Sequence, residues 1–240
     1  MGRLARQPTR QSIGGLPTSA GQLSSRPLGT KESSMHVLFV HGMGRTPISG
    51  MPILFRLIAN GYAVSVFGYS TAFNDFDVIR NRLRVRIIQM ASQGDYVLVG
   101  HSLGGVLRRS ALRELPHGAN PPKHLFLLGS PVRPAILARK LRKRFVYRAI
   151  TGDCGQLLAS SLRMKAIGPA NVQTTSILGT RGFYGEHSPF GFELNDGVVS
   201  ESELQADWIT DVVHVPVIHM LIPASSRVAD IILDRMAAHA

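Results

Sequence analysis

From Met35 onward, short apolar runs alternate with longer amphipathic stretches. The runs 35–40 (MHVLFV), 62–68 (YAVSVFG), 95–100 (DYVLVG), 124–128 (HLFLL), 174–178 (TTSIL) and 209–215 (ITDVVHV) have the length and the β-branched or aromatic content of strands. Their near-continuous apolarity predicts strands covered on both faces, as in a parallel sheet. Between them, 50–60, 76–92, 104–115 and 224–238 predict helices. In 76–92 the helical spacing is carried by Val78, Ile79, Leu83, Ile87, Ile88 and Met90. Strand and helix alternating at this spacing predicts an α/β fold: about six strands in a mostly parallel sheet, flanked by helices. No internal repeat is visible.

Residues 1–34 break the pattern. They are rich in Arg, Ser, Gly, Pro and Thr, carry no acid before Glu32, and show neither alternation nor an apolar helical face. This composition predicts a disordered basic tail ahead of a folded domain over 35–240. The tail has no apolar core of the secretory type, and its Arg-rich, acid-poor character also fits a transit peptide. A natural start at Met35 is the plainer alternative. No apolar run approaches the ~18–20 residues of a membrane span, so a cytoplasmic location is expected.

Composition narrows the classes further. The chain has 240 residues, 44% of them apolar, which suits one core of ordinary size. A single cysteine, Cys154, excludes an internal disulfide framework and zinc sites built on several thiolates. The net charge of +12 is unevenly spread: residues 131–170 carry nine Lys/Arg against one acid, and residues 171–240 three against nine.

The strand at 95–100 runs straight into Gly100-His101-Ser102-Leu103-Gly104-Gly105 and then a helix-like VLRRSALREL. This is G-x-S-x-G between strand and helix, where a sharp turn exposes the serine hydroxyl at the end of the sheet. Gly100 and Gly104 remove the Cβ atoms that would clash where the chain doubles back. The following helix directs its N-terminus at the serine, favouring developing negative charge. The bland alternative is a glycine-rich connection with an incidental serine. Phosphate-binding loops fit worse, since neither G-x-G-x-x-G nor Gly-Lys-Ser/Thr occurs. A second glycine loop, Val40-His41-Gly42-Met43-Gly44-Arg45, ends the first strand. Its backbone N–H groups and that of Leu103 can together form an oxyanion hole. An ordinary glycine turn is the alternative. His41 is expected to brace the loop by hydrogen bonds rather than to do chemistry.

HGMGR and VGHSLGG together resemble the α/β-hydrolase superfamily, in particular its bacterial lipases and esterases. Leu127-Leu128-Gly129-Ser130-Pro131 is similar to their LGTP strand end, and Asn195-Asp196-Gly197-Val198-Val199 to the segment carrying their acid. The resemblance spans about 35–238 and implies an α/β-hydrolase fold. It also implies Met43 and Leu103 as oxyanion donors, and the chain order serine, acid, histidine. Downstream of Ser102 and the fourth strand, the histidines are His187, His214, His219 and His239. His219 falls after the last strand and before the final helix, where the base should hang; His214 falls within that strand and is expected to point into packing. Asp196 follows the fifth strand, with Glu193, Asp207 and Asp211 as competitors. The expected triad is Ser102, Asp196 and His219.

The expected activity is serine carboxylic-ester hydrolysis through an acyl-enzyme on a small-molecule or lipid ester. Acyl transfer, thioester cleavage and lipid-anchor deacylation are alternatives on the same fold, and a non-catalytic basic binding protein is the remaining one. No cofactor is expected. No metal is implied either, because His219 is followed by Met220 and Leu221 rather than acidic residues. Residues 133–148 (RPAILARKLRKRFVYR) interleave apolar and basic positions within an expected small helical cap over about 132–172. They predict a helix packing one face over the active-site mouth. Its other face is either a solvated cationic surface or one drawn to anionic lipid. No aromatic platform for stacking bases accompanies it, so no specific nucleic-acid partner is expected.

Overall fold

Each of the six apolar runs forms a strand: β1 (His36–Val40), β2 (Ala63–Phe67), β3 (Tyr96–His101), β4 (His124–Leu128), β5 (Thr174–Gly179) and β6 (Asp211–Val215). The structure, a computed structural model, describes Met1, Gly2 and residues 35–239, so the expectation for the 1–34 tail lies outside the described residues. The strands form one sheet in the order β2-β1-β3-β4-β5-β6, and every neighbouring pair is parallel. The helices are α1 (Met51–Ala59), α2 (Phe76–Ala91), α3 (Leu103–Arg113), α4 (Ile136–Leu141), α5 (Phe145–Ala159), α6 (Ser161–Ile167), α7 (Glu201–Leu204) and α8 (Ser226–Ala237). This is the α/β-hydrolase arrangement.

The pleat sorts β1 between two cores. Val37 and Phe39 pack with Ile53 and Leu57 of α1 and with Val228 and Ile232 of α8. Leu38 and Val40 face the other side, against Ile79 and Leu83 of α2 and Val106 and Leu107 of α3. Every residue of β3 and β4 is buried, which explains why these runs are continuously apolar rather than alternating. The sheet order reverses between β1 and β3, because β2 lies outside β1 while β4, β5 and β6 extend the other way. The loops leaving β1 and β3 therefore face a crevice at the carboxyl edge, where sheets of this type take ligands.

Two arginines of α3 are buried, which the pattern gave no reason to expect. Arg108 donates to the Leu38 carbonyl, and Arg109 donates to the carbonyls of Pro131 (3.3 Å) and Gly168 (2.6 Å). The Arg109 guanidinium also lies 5.0 Å from the Trp208 ring centre, and burial pulls its pKa down to about 10. Arg109 thereby ties the end of α6 to the turn after β4 through carbonyls that lack other partners.

The segment between β4 and β5 departs from the expectation of one helix over 133–148. It is a succession of α4, α5 and α6, with a turn at Arg142–Arg144 where Arg144 is extended. The expected packing face is also only partly realised. Ile136 and Leu137 are half-buried, whereas Leu141, Phe145 and Val146 are exposed. Six cations fall between Arg139 and Arg148, a crowding of like charge that disfavours one continuous helix, and three of them, Arg142, Lys143 and Arg144, lie in the turn. Among the described residues no helix is long and apolar enough to cross a membrane.

One stability prediction arises within the sheet. The β4 residue His124 is buried, its Nε2 hydrogen-bonded to Thr175 Oγ1 (2.8 Å) and its Nδ1 to His239 Nε2 (3.1 Å). Burial first, then the neighbouring His239 ring, push its pKa from the ordinary 6.5 down to about 4. The unfolded chain thus takes up a proton that the native state refuses. This contribution to stability is present above pH 6.5 and is lost as pH falls towards 4. The thermal midpoint is expected to drop over that window, and to drop less steeply in His124→Gln. Equal slopes in the two proteins would contradict this origin.

Candidate active site

Strand β3 delivers Ser102 in a conformation that side chains other than glycine avoid. Its φ is 51° and its ψ −123°, the only positive φ outside glycine among the described residues. Three contacts hold the turn. Ser102 N–H donates to the Leu128 carbonyl (2.8 Å), Gly105 N–H donates to the Ser102 carbonyl (3.1 Å), and Ser130 Oγ donates to that same carbonyl. Backbone strain of this kind survives only where its surroundings fix it, and it clusters at functional sites. The glycines make the close approach possible. A Cβ on Gly100 would come 2.6 Å from the Gly105 Cα, and one on Gly104 would come 2.3 Å from the Val40 carbonyl oxygen.

The loop after β1 lies directly against this turn, since a Cβ on Gly42 would meet Ser102 Cβ at 3.0 Å. His41 braces it, as the sequence suggested. Its Nδ1–H donates to the Gly42 carbonyl (2.8 Å), its Nε2 accepts from Tyr69 N–H (3.3 Å), and its ring stacks on Tyr69 at 4.3 Å. The Tyr69 hydroxyl closes the brace on the His41 carbonyl at 2.9 Å. Burial holds the His41 pKa below its ordinary value, so the ring is neutral in this role. Among the described residues, neither the Met43 nor the Leu103 backbone N–H has a protein acceptor. A cavity of about 450 Å³ adjoins the loop, walled by His41, Arg45, Tyr69, Thr71 and, from α5, Ala149 and Ile150.

Asp196 is fixed by a turn built from its neighbours. Its Oδ1 accepts from Val198 N–H (2.9 Å) and Val199 N–H (2.8 Å), and Gly197 supplies the φ of 94° that the turn requires. The buried Asn195 side chain anchors the segment by accepting from Phe183 N–H (3.0 Å) and donating to the Phe183 carbonyl (3.0 Å). Oδ2 of Asp196 is thereby left to accept from His219 Nδ1–H at 2.6 Å. The backbone repeats the link, His219 N–H donating to the Asp196 carbonyl at 2.8 Å. Both side chains are almost wholly buried, 5% and 0% exposed, so the charge-assisted bond is screened little by water. His219 opens the short 3-10 turn His219–Ala224 that leads into α8.

Asp196 and His219 meet beside Gly129, at the end of β4. A Cβ there would lie 2.9 Å from both Asp196 Oδ2 and His219 Nδ1. Ser102 Oγ has no hydrogen-bond partner among the described residues, His219 included, so serine and histidine share the sheet edge without the direct bond. Such bonds are commonly long before substrate tightens them. The competitors go elsewhere. Asp211 opens β6 at the opposite edge, binding Thr175 Oγ1 and Arg235, and Glu193 accepts from Ser202 N–H. His214 corrects the expectation of a packed ring. It is exposed and hydrogen-bonded to Glu201 at 2.9 Å, because β6 alternates: Val213 and Val215 face the core shared with α8, and Val212 and His214 face away from it.

One participant was not legible in the sequence. His101, the residue between Gly100 and Ser102, is buried, and its Nε2–H donates to the His219 carbonyl at 3.1 Å. Its ring lies 4.7 Å from that of His219. Burial, with His219 next, holds the His101 pKa well below the ordinary value, which keeps the ring neutral beneath its neighbour. Any residue fits the variable positions of G-x-S-x-G, so no pattern signals this contact.

Comparison with known proteins agrees with the fold. No curated protein matches the sequence significantly. Among solved structures, a lipase from Bacillus licheniformis in its propeptide form is similar with a TM-score of 0.64 and 18% identity, over 85% of this chain and 50% of that one. The chain therefore spans half the length of that lipase. A methylesterase from Arabidopsis is similar at a TM-score of 0.57 and 15% identity, over 86% and 100% of the two chains. A thioesterase from the prodiginine pathway of Streptomyces coelicolor follows at 0.53 and 16%, over 86% and 85%. At these identities the likeness is one of fold. The profile of the alpha/beta hydrolase family matches residues 37–235, and the chain belongs to that family.

Proposed function

We propose that the protein is a serine hydrolase of carboxylic esters, with Ser102 as nucleophile, His219 as base and Asp196 as the acid that orients it. The observation that carries this reading is the buried His219–Asp196 bond at the same sheet edge as a strained, unpartnered serine hydroxyl. Ser102 Oγ attacks the ester carbonyl carbon as its proton passes to His219 Nε2. Asp196 accepts from Nδ1–H throughout, which fixes the tautomer and stabilises the imidazolium. The Met43 and Leu103 N–H groups, without acceptors among the described residues, donate to the tetrahedral oxyanion. His219 then gives its proton to the departing alkoxide. Water attacks the acyl-enzyme with the same residue as base, releasing the acid and restoring the serine.

Hydrolysis of p-nitrophenyl esters of increasing chain length tests the reading and ranks acyl groups. His219→Ala is expected to lower kcat by ~10⁴-fold or more, and His214→Ala to leave it within about twofold, since His214 is exposed and paired with Glu201. The reverse outcome would move the base to β6.

A further inference from the structure

The carboxyl edge of the sheet carries a feature that ester hydrolysis does not use. Between Arg139 and Ile150 every residue except the half-buried Tyr147 is exposed. The turn Arg142-Lys143-Arg144 forms the tip between α4 and α5, and Phe145 follows it at 84% exposure. Val146 and Ile150 on α5 are exposed as well. The insertion's one acid, Asp153, is engaged with Arg163 at 2.6 Å, so among the described residues none of the tip cations has a carboxylate partner.

Neighbouring loops extend the same surface. In an all-parallel sheet the loops that follow β2, β4 and β5 leave from one edge. Phe73 follows β2 at 87% exposure, and Phe183 and Phe192 follow β5 at 72% and 79%. Hydrogen bonds hold these loops beside the insertion. Thr71 Oγ1 donates to the Ile150 carbonyl (3.0 Å), and Lys140 Nζ donates to the Pro189 carbonyl (3.3 Å). Large aromatic side chains unpartnered on one edge, next to uncompensated cations, mark an interaction surface rather than ordinary solvated exposure.

We infer that this edge docks on an anionic phospholipid surface, with Arg142, Lys143 and Arg144 at the headgroups and Phe145, Val146 and neighbouring aromatic side chains in the acyl boundary. The charge decides among occupants. A second copy meeting this edge with its own would set one cationic tip against another, and a neutral apolar partner would leave the cations desolvated without a counter-charge. A bilayer rich in anionic headgroups meets both halves of the surface at once. Docking does not depend on the hydrolytic reading, because no catalytic residue takes part in it.

The test is sedimentation of the full chain with vesicles of phosphatidylcholine alone and of equal parts phosphatidylcholine and phosphatidylglycerol. Binding is expected to the mixed vesicles and not to the neutral ones, and to weaken as salt is raised. The triple change Arg142→Glu, Lys143→Glu and Arg144→Glu should lower partitioning about a hundredfold or more. Phe145→Ser with Val146→Ser should lower it about tenfold or more. Unchanged thermal midpoints would establish that both variants fold. Ser102→Ala should bind as the unaltered chain does, whether or not hydrolysis proceeds by the proposed route. Equal binding to neutral vesicles would overturn the proposal, as would binding indifferent to the tip changes. So would self-association without lipid that Phe145→Ser abolishes, which would assign the edge to a second copy.

Discussion

Replacing Ser102 with alanine is expected to lower kcat on p-nitrophenyl esters by ~10⁴–10⁶-fold, with the thermal midpoint little changed. The size follows from removing the only atom that forms the acyl bond, which leaves binding and oxyanion stabilisation alone to assist water. The small effect on stability follows from the environment. Ser102 Oγ makes no hydrogen bond among the described residues, while the contacts that hold the turn run through the Ser102 backbone, to the Leu128 carbonyl and from Gly105 and Ser130. Alanine meets the φ of 51° at much the same cost as serine, so the elbow keeps its shape. Steady-state kinetics alongside thermal unfolding separates the two effects. Near-normal kcat in a folded variant would remove Ser102 from the chemistry.

Asp196→Asn is the second large effect, about 10⁴-fold in kcat with KM nearly constant. The amide oxygen can still accept from Val198 and Val199 N–H, so the turn that holds the segment persists. The amide nitrogen then stands where Oδ2 accepted from His219 Nδ1, and it can only donate. His219 must adopt the other tautomer, with its proton on Nε2, and can no longer take one from Ser102. A loss confined to KM would instead make Asp196 a substrate-binding group.

Much of this architecture is legible in the chain because burial on both sheet faces writes itself as continuous apolar runs. MHVLFV and HLFLL read as strands covered on both faces for that reason, and β1 and β4 are interior, buried strands, whereas β2 and β6 at the two ends of the sheet are not covered on both faces. The elbow is legible because its glycines answer a steric demand: a Cβ on Gly100 would lie 2.6 Å from the Gly105 Cα. Asp196 is legible through Gly197, whose positive φ the carboxylate's turn requires. What stays hidden depends on contacts distant in sequence. His101 reaches the carbonyl of His219, 118 residues away, and Arg108 and Arg109 are buried against carbonyls that no local pattern can foretell. The single helix expected over 133–148 is interrupted at Arg142–Arg144, a turn that hydrophobic spacing does not mark. His214 faces solvent because only one face of β6, that of Val213 and Val215, is covered, which the apolar content of the run does not mark.

The central claim is that Ser102 is the nucleophile of an ester hydrolase, and covalent labelling with a fluorophosphonate addresses it directly. The reagent transfers its phosphonyl group to an activated serine with loss of fluoride, and mass spectrometry of the digested protein locates the adduct. One adduct is predicted, on the peptide containing Ser102, absent from Ser102→Ala and strongly reduced in His219→Ala. An unlabelled protein, or an adduct on another serine that survives Ser102→Ala, would contradict the account.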